Sequence, residues 1–170
     1  MSILLIANII GFAGSLLMVL VGLIKTKSKI LWVQNLQFLL QGIANLLLGG
    51  ISGVVANSVS IIRNFICLKW DLTLPLKVVF IAFQFIFTIL TNNMGIPGWL
   101  PFVAATIFTF CLDTKNEVIL KIAIIAGELC WIIYDLLIKN YTSCAFDCFT
   151  VVTNIVGIFM VLSARKKIEK

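Results

Sequence analysis

Apolar residues run along this chain in seven blocks, at about 3–24, 30–48, 52–68, 76–92, 98–112, 118–138 and 146–164. A bilayer crossing takes roughly 20 apolar residues in a helix. None of the blocks alternates with the period of two that marks a barrel strand. Inside lipid the backbone polar groups must be satisfied within the segment itself or in a closed barrel. The pattern therefore predicts an all-α polytopic membrane protein with seven spans. The links are Lys25 to Lys29, Gly49-Gly50, Lys69 to Pro75, Asn92 to Pro97, Asp113 to Glu117 and Lys139 to Ser143. They leave no room for a soluble domain.

Polar residues inside the blocks keep a helical spacing. Gln34, Gln37, Gln41 and Asn45 fall at i, i+3, i+7 and i+11. Asn57, Ser60 and Asn64 repeat i, i+3, i+7, as do Glu128, Trp131 and Asp135, and Asp147, Thr150 and Asn154. Each set lies on one helix face. Lipid cannot satisfy such groups, so the stripes must face one another or water. A single stripe is explained by interhelical hydrogen bonding. Four together point to a shared central cavity.

The stripes also repeat. Shifting the chain by 88–90 residues brings Gln41 onto Trp131, Asn45 onto Asp135, Asn57 onto Asp147, Ser60 onto Thr150 and Asn64 onto Asn154. The link Lys25-Thr26-Lys27 meets Asp113-Thr114-Lys115. Spans 1–3 then match spans 5–7, and the inserted fourth span gives both copies one orientation, so the repeats are parallel. The expected organisation is a first triple-helix bundle at 1–70, a linker helix at 71–95, and a second bundle with a basic tail at 96–170.

Composition agrees with the block pattern. The chain is 61% hydrophobic and 12% charged, with a mean hydropathy of +1.13. Its net charge of +6 comes from basic residues at the ends of apolar blocks. They form no patch for nucleic acid. With the N-terminus outside, Lys25, Lys27, Lys29, Lys69, Lys77, Lys115, Lys121, Arg165, Lys166, Lys167 and Lys170 collect on the inner side, against Lys139 outside. The positive-inside rule thus favours N-out, C-in. The first run exceeds a signal-peptide core and is expected to stay as a span.

Five cysteines (Cys67, Cys111, Cys130, Cys144 and Cys148) show no metal-ligand spacing, and histidine is absent. The first three read as small apolar helix residues; a Cys144–Cys148 disulfide is left open. Without a nucleophile–base pair or a metal cluster, neither an enzyme nor a cofactor is expected. The partners expected are a small-molecule solute and the bilayer, with homo-oligomerisation open.

The candidate solute contacts are Asn64, Asn154, Trp131, Gln41, Gln37, Asn57, Asp147, Ser60 and Thr150. An amide both donates and accepts, and Trp131 offers a wall for a ring. Glu128 and Asp135 are intramembrane carboxylates, suited to a cation, a proton or pairing with Arg63. Arg63, late in an inward-running helix, could instead snorkel to the inner face. Trp32, Trp70 and Trp99 fall where an interfacial belt is expected. Gly11, Gly14, Gly22, Pro97, Gly98 and Pro101 allow either flexing or close helix packing.

The three-plus-one-plus-three layout, with Trp131-x-x-Tyr134 and Asn154-x-x-Gly157, resembles SWEET sugar transporters. In those, a tryptophan and an asparagine from each repeat line a central site; here Gln41 stands where the first repeat would carry its tryptophan. PnuC vitamin-precursor transporters share the layout. Over nearly the whole chain the sequence resembles the YgjV-type family of bacterial inner-membrane proteins. The residues that carry this are Gly53, Ile61-Ile62-Arg63, Leu100-Pro101, Thr106-Ile107, Cys130-Trp131-x-Ile133, Asp147 and Asn154. The resemblances imply a transporter of a small polar metabolite (a sugar, nucleoside or vitamin precursor) in the bacterial inner membrane. Such a protein works as a uniporter or is coupled to a proton or cation. A non-transporting membrane binding or assembly subunit is the rival expectation.

Overall fold

A computed structural model describes residues 2–21, 27–111, 114 and 116–168. Gly22, Lys25, Thr26, Asp113, Lys115 and Lys170 lie outside the described residues, as do the side chains of Lys27 and of Arg165, Lys166 and Lys167. The described residues form seven α-helices and no strand: α1 (Ile3–Val21), α2 (Lys27–Leu47), α3 (Ile51–Cys67), α4 (Leu74–Thr91), α5 (Leu100–Cys111), α6 (Glu117–Ile138) and α7 (Tyr141–Ile168). One 3₁₀ turn, Ile96–Trp99, leads into α5. By length and composition, Ser28–Leu47, Leu74–Thr91 and Tyr141–Ser163 are apolar enough to cross a membrane. The apolar helices in Ile3–Val19, Ile51–Cys67 and Ile96–Cys111 are shorter.

Local chemistry accounts for the helix ends. Asn116 caps α6, its Oδ1 accepting from Val118 N at 3.1 Å and Ile119 N at 3.5 Å, two of the donors every helix start leaves open. Pro75 stands in the first turn of α4, where its missing N–H costs nothing. Two turns are built alike. Gly49 adopts φ +77, with Gly49 N bonded to Leu46 O and Gly50 N to Asn45 O. Ninety positions on, Lys139 adopts φ +65, with Lys139 N bonded to Leu136 O and Asn140 N to Asp135 O. Both are left-handed helix stops that close the last carbonyls of one helix and start the next at once. The second stop shortens the expected Lys139–Ser143 link to two residues, so α7 begins at Tyr141 rather than near 146.

The packing closes a ring. Helix α1 packs on α2, α2 on α3, α3 on α5, α5 on α6, α6 on α7, and α7 back on α1. Helix α4 lies across the α3–α5 seam and touches both. Its buried residues are Lys77, Phe80, Gln84 and Thr88, a single stripe, while Val79, Ile86 and Leu90 point outward. The start of α1 and the α2–α3, α4–α5 and α6–α7 links gather at one end, where Ile3, Gly49, Met94 and Lys139 line one shallow pocket. We call this the first end of the ring.

Two expectations about charge change here. Lys77, counted as an inner-surface cation, is 6% exposed and donates to Phe110 O at 3.2 Å; packing of α4 against α5 draws it inward. Arg63 does not snorkel out. It is buried, its Nη1 donating to Thr109 Oγ1 at 3.0 Å and its Nη2 to Asn64 Oδ1 at 3.3 Å, with its guanidinium 5.5 Å from the centre of the Phe108 ring. Cys144 and Cys148 are separate free thiols, the first buried and the second exposed.

Candidate functional site

The ring encloses a cavity of about 330 Å³, in the size range of small-molecule sites. The four polar stripes all line it, on a wall that is mainly apolar. Helix α2 contributes Gln34, Gln37, Gln41 and Asn45, and α3 contributes Asn57, Ser60 and Arg63. Helix α6 contributes Glu128, Trp131 and Asp135, and α7 contributes Ser143, Asp147, Thr150 and Asn154. Apolar patches from Met18, Phe38, Ala104, Phe108 and Ile124 complete it. This is the outcome that four helical stripes in an apolar bundle require, because the alternative is polar groups in hydrocarbon.

Asn64 is the exception among the candidates. It is 1% exposed and lies behind the wall, donating to Gln34 Oε1 at 3.3 Å and accepting from Arg63. Its helix turns one step too far for its side chain to reach the cavity, so it positions Arg63 and Gln34. Asn154, its counterpart in the repeat, does line the cavity and donates to Thr150 O one turn back at 2.8 Å. The two asparagines are therefore not equivalent.

Other candidates also carry structural duties. Gln41 donates to Gly11 O at 3.3 Å and Ser15 Oγ at 3.1 Å, and accepts from Ser143 Oγ at 2.9 Å. It thereby ties α2 to both α1 and α7. Trp131 meets Tyr134 edge to face at 5.8 Å. Asp147 stands beside both Glu128 and Asp135, which gathers the three carboxyls on the α6–α7 side of the cavity. Among the described residues, no group of acidic, cysteine or histidine side chains has the arrangement to hold a metal ion.

Sequence reasoning missed three features. Tyr134 is fully buried and its Oη accepts from Gly53 N at 2.8 Å, satisfying a donor that the start of α3 leaves open. Asn8 joins α1 to the α6–α7 turn: its Nδ2 donates to Lys139 O at 3.1 Å, its Oδ1 accepts from Thr142 N at 3.2 Å, and its backbone carbonyl accepts from Thr142 Oγ1 at 2.8 Å. Gly11 permits this approach, since a Cβ there would stand 2.8 Å from Asn140 Oδ1. The α4 stripe is the third feature, and its signal was present in the spacing of Lys77, Gln84 and Thr88.

The fold and cavity define a helical membrane protein whose central chamber carries polar side chains from four helices on a mainly apolar wall. The chain belongs to the Imp-YgjV family of bacterial inner membrane proteins, whose model matches residues 5–165. No curated protein and no solved structure matches it.

Proposed function

We propose that the protein is a small-molecule permease of the bacterial inner membrane, binding a small polar metabolite in the central cavity. The observation that carries this reading is that polar stripes from four helices converge on one cavity. Among the residues that line it, Asn45, Asn57 and Arg63 each keep one buried polar atom without a protein hydrogen-bond partner.

In this reading all seven helices span the membrane, N-out and C-in, as two parallel three-helix repeats joined by α4. The ring supports it. A twofold rotation that carries α1, α2 and α3 onto α5, α6 and α7 also carries the α3–α5 contact onto the α7–α1 contact. The matching stops at Gly49 and Lys139 support it too. The repeats would then rock about the cavity, exposing it to either side. Asn154, Trp131, Gln37, Asn57, Ser60 and Thr150 face the solute, and Arg63, Glu128, Asp135 and Asp147 supply charge. With no nucleotide-binding motif in the sequence, transport is uniport or is coupled to an ion.

The test is solute flux into proteoliposomes, with sugars, nucleosides, amino acids and vitamin precursors as cargo. Flux of one class, reduced at least tenfold in both Asn154→Ala and Trp131→Ala, is the expected result. Flux that survives both substitutions places the pathway elsewhere. Absence of flux for every class, with protein that folds and binds a partner subunit, favours the assembly role instead.

A further inference from the structure

Opposite charges stand on different walls of the cavity and do not meet. On α3, Arg63 is 3% exposed; its two terminal nitrogens are taken by Thr109 and Asn64, and its Nε has no protein partner. On α6 and α7, Glu128, Asp135 and Asp147 form a carboxyl cluster. Among the described residues that line the cavity, Arg63 is the only cation. Helix geometry gives the spacing. The Tyr134–Gly53 hydrogen bond sets Asp135 level with the start of α3. Arg63 lies ten residues further along α3, about 15 Å away along the axis. Helix α6 runs the opposite way, so Glu128, seven residues before Asp135, lies about 10 Å nearer the Arg63 level.

A buried guanidinium kept apart from buried carboxyls leaves the cation without a counter-ion and makes the carboxyls costly to ionise side by side. An uncharged solute relieves neither. A solute with an acid group at one end and an ammonium at the other relieves both, through charge-assisted hydrogen bonds. We propose that the cavity takes a small dipolar solute, its acid group on Arg63 and its ammonium group on the Glu128–Asp135–Asp147 cluster. The proposal rests on the permease reading and narrows its substrate class.

The test uses the purified full chain in detergent and measures affinity by calorimetry. The probes are β-alanine and γ-aminobutyrate, each beside its N-acetyl form, which keeps only the acid, and its amide, which keeps only the ammonium. The zwitterions should bind at least tenfold more tightly than either derivative, as expected for loss of one charged hydrogen-bond partner. In Arg63→Gln the preference for zwitterion over amide should vanish, while the preference over the N-acetyl form remains. In Glu128→Gln the converse should hold. Arg63→Lys, which keeps the charge and loses the fork, should restore part of the first preference, separating recognition from misfolding. If a neutral or singly charged solute binds in a Trp131-dependent way and ignores Arg63→Gln, the dipolar proposal fails and the permease reading stands. If nothing binds from these probes or from the wider cargo panel, and nothing is carried, both fail.

Discussion

Replacing Asn8 with alanine removes the side chain that bridges the start of α1 to the α6–α7 turn. Two interhelical hydrogen bonds go with it, Nδ2 to Lys139 O at 3.1 Å and Thr142 N to Oδ1 at 3.2 Å, together with the weaker 3.4 Å branch from Thr142 Oγ1 to Oδ1. The Thr142 Oγ1 bond to the Asn8 carbonyl at 2.8 Å stays, as does the edge-to-face contact of Phe12 with Phe146 at 5.7 Å. Both lost bonds lie at the half-exposed first end of the ring, so each is taken near the lower half of the usual range. Together they contribute about 1–2 kcal/mol to holding α1 against α7. If separation of α1 from α7 opens the cavity at that end, the open population rises about 5- to 30-fold. The assay is the rate at which a membrane-impermeant maleimide, added from the α6–α7 side, labels a cysteine at Thr150→Cys. That side chain lines the cavity and its hydroxyl bonds only within its own helix, to Phe146 O at 3.0 Å. The native cysteines set the background in the otherwise unchanged chain. A rate within twofold of the Asn8 parent, with unfolding behaviour otherwise intact, would mean that the α1–α7 seam is no gate.

Tyr134→Phe keeps the ring against Trp131 and removes the acceptor for Gly53 N at 2.8 Å. Leaving that donor buried should cost about 1–3 kcal/mol of stability, read by denaturation in detergent; a cost under about 0.5 kcal/mol would show that the bond contributes little. Gly53→Ala should be worse than Gly42→Ala, because a Cβ at Gly53 runs into Asn45 Nδ2 and lies 2.9 Å from Tyr134 Cε1, whereas a Cβ at Gly42 meets only Asn57 Cβ at 3.7 Å; equal expression and melting of the two would refute this packing. Gly98→Ala drives a Cβ into Asn92 Oδ1, the group that accepts from Met94 N at 3.0 Å. It should loosen the α4–α5 turn, seen as faster proteolysis between 91 and 100. Asn64→Ala should weaken solute binding through Arg63 and Gln34, the two cavity residues it bonds, so its effect and that of Arg63→Gln should add less than fully.

The sequence alone determined that the chain is helical and which helix faces are polar. Both follow from local rules: apolar runs in lipid must satisfy their own backbone, and a 3.6-residue period sorts side chains by face. For that reason nearly every candidate drawn from the four stripes lines one cavity. Periodicity has an angular tolerance, however, and cannot say whether a residue at the edge of a stripe looks into the chamber or past it. Asn64 and Asn154 hold matching places in sequence, yet one lies behind the wall and the other in it. Only the packing of α3 against α2 and α5 decided that. Tertiary structure likewise turned Arg63 inward onto Thr109, drew Lys77 in against α5 and brought Asn8 to Thr142, 134 residues away. Each of these depends on which helices become neighbours, information that hydrophobic spacing along one chain does not contain.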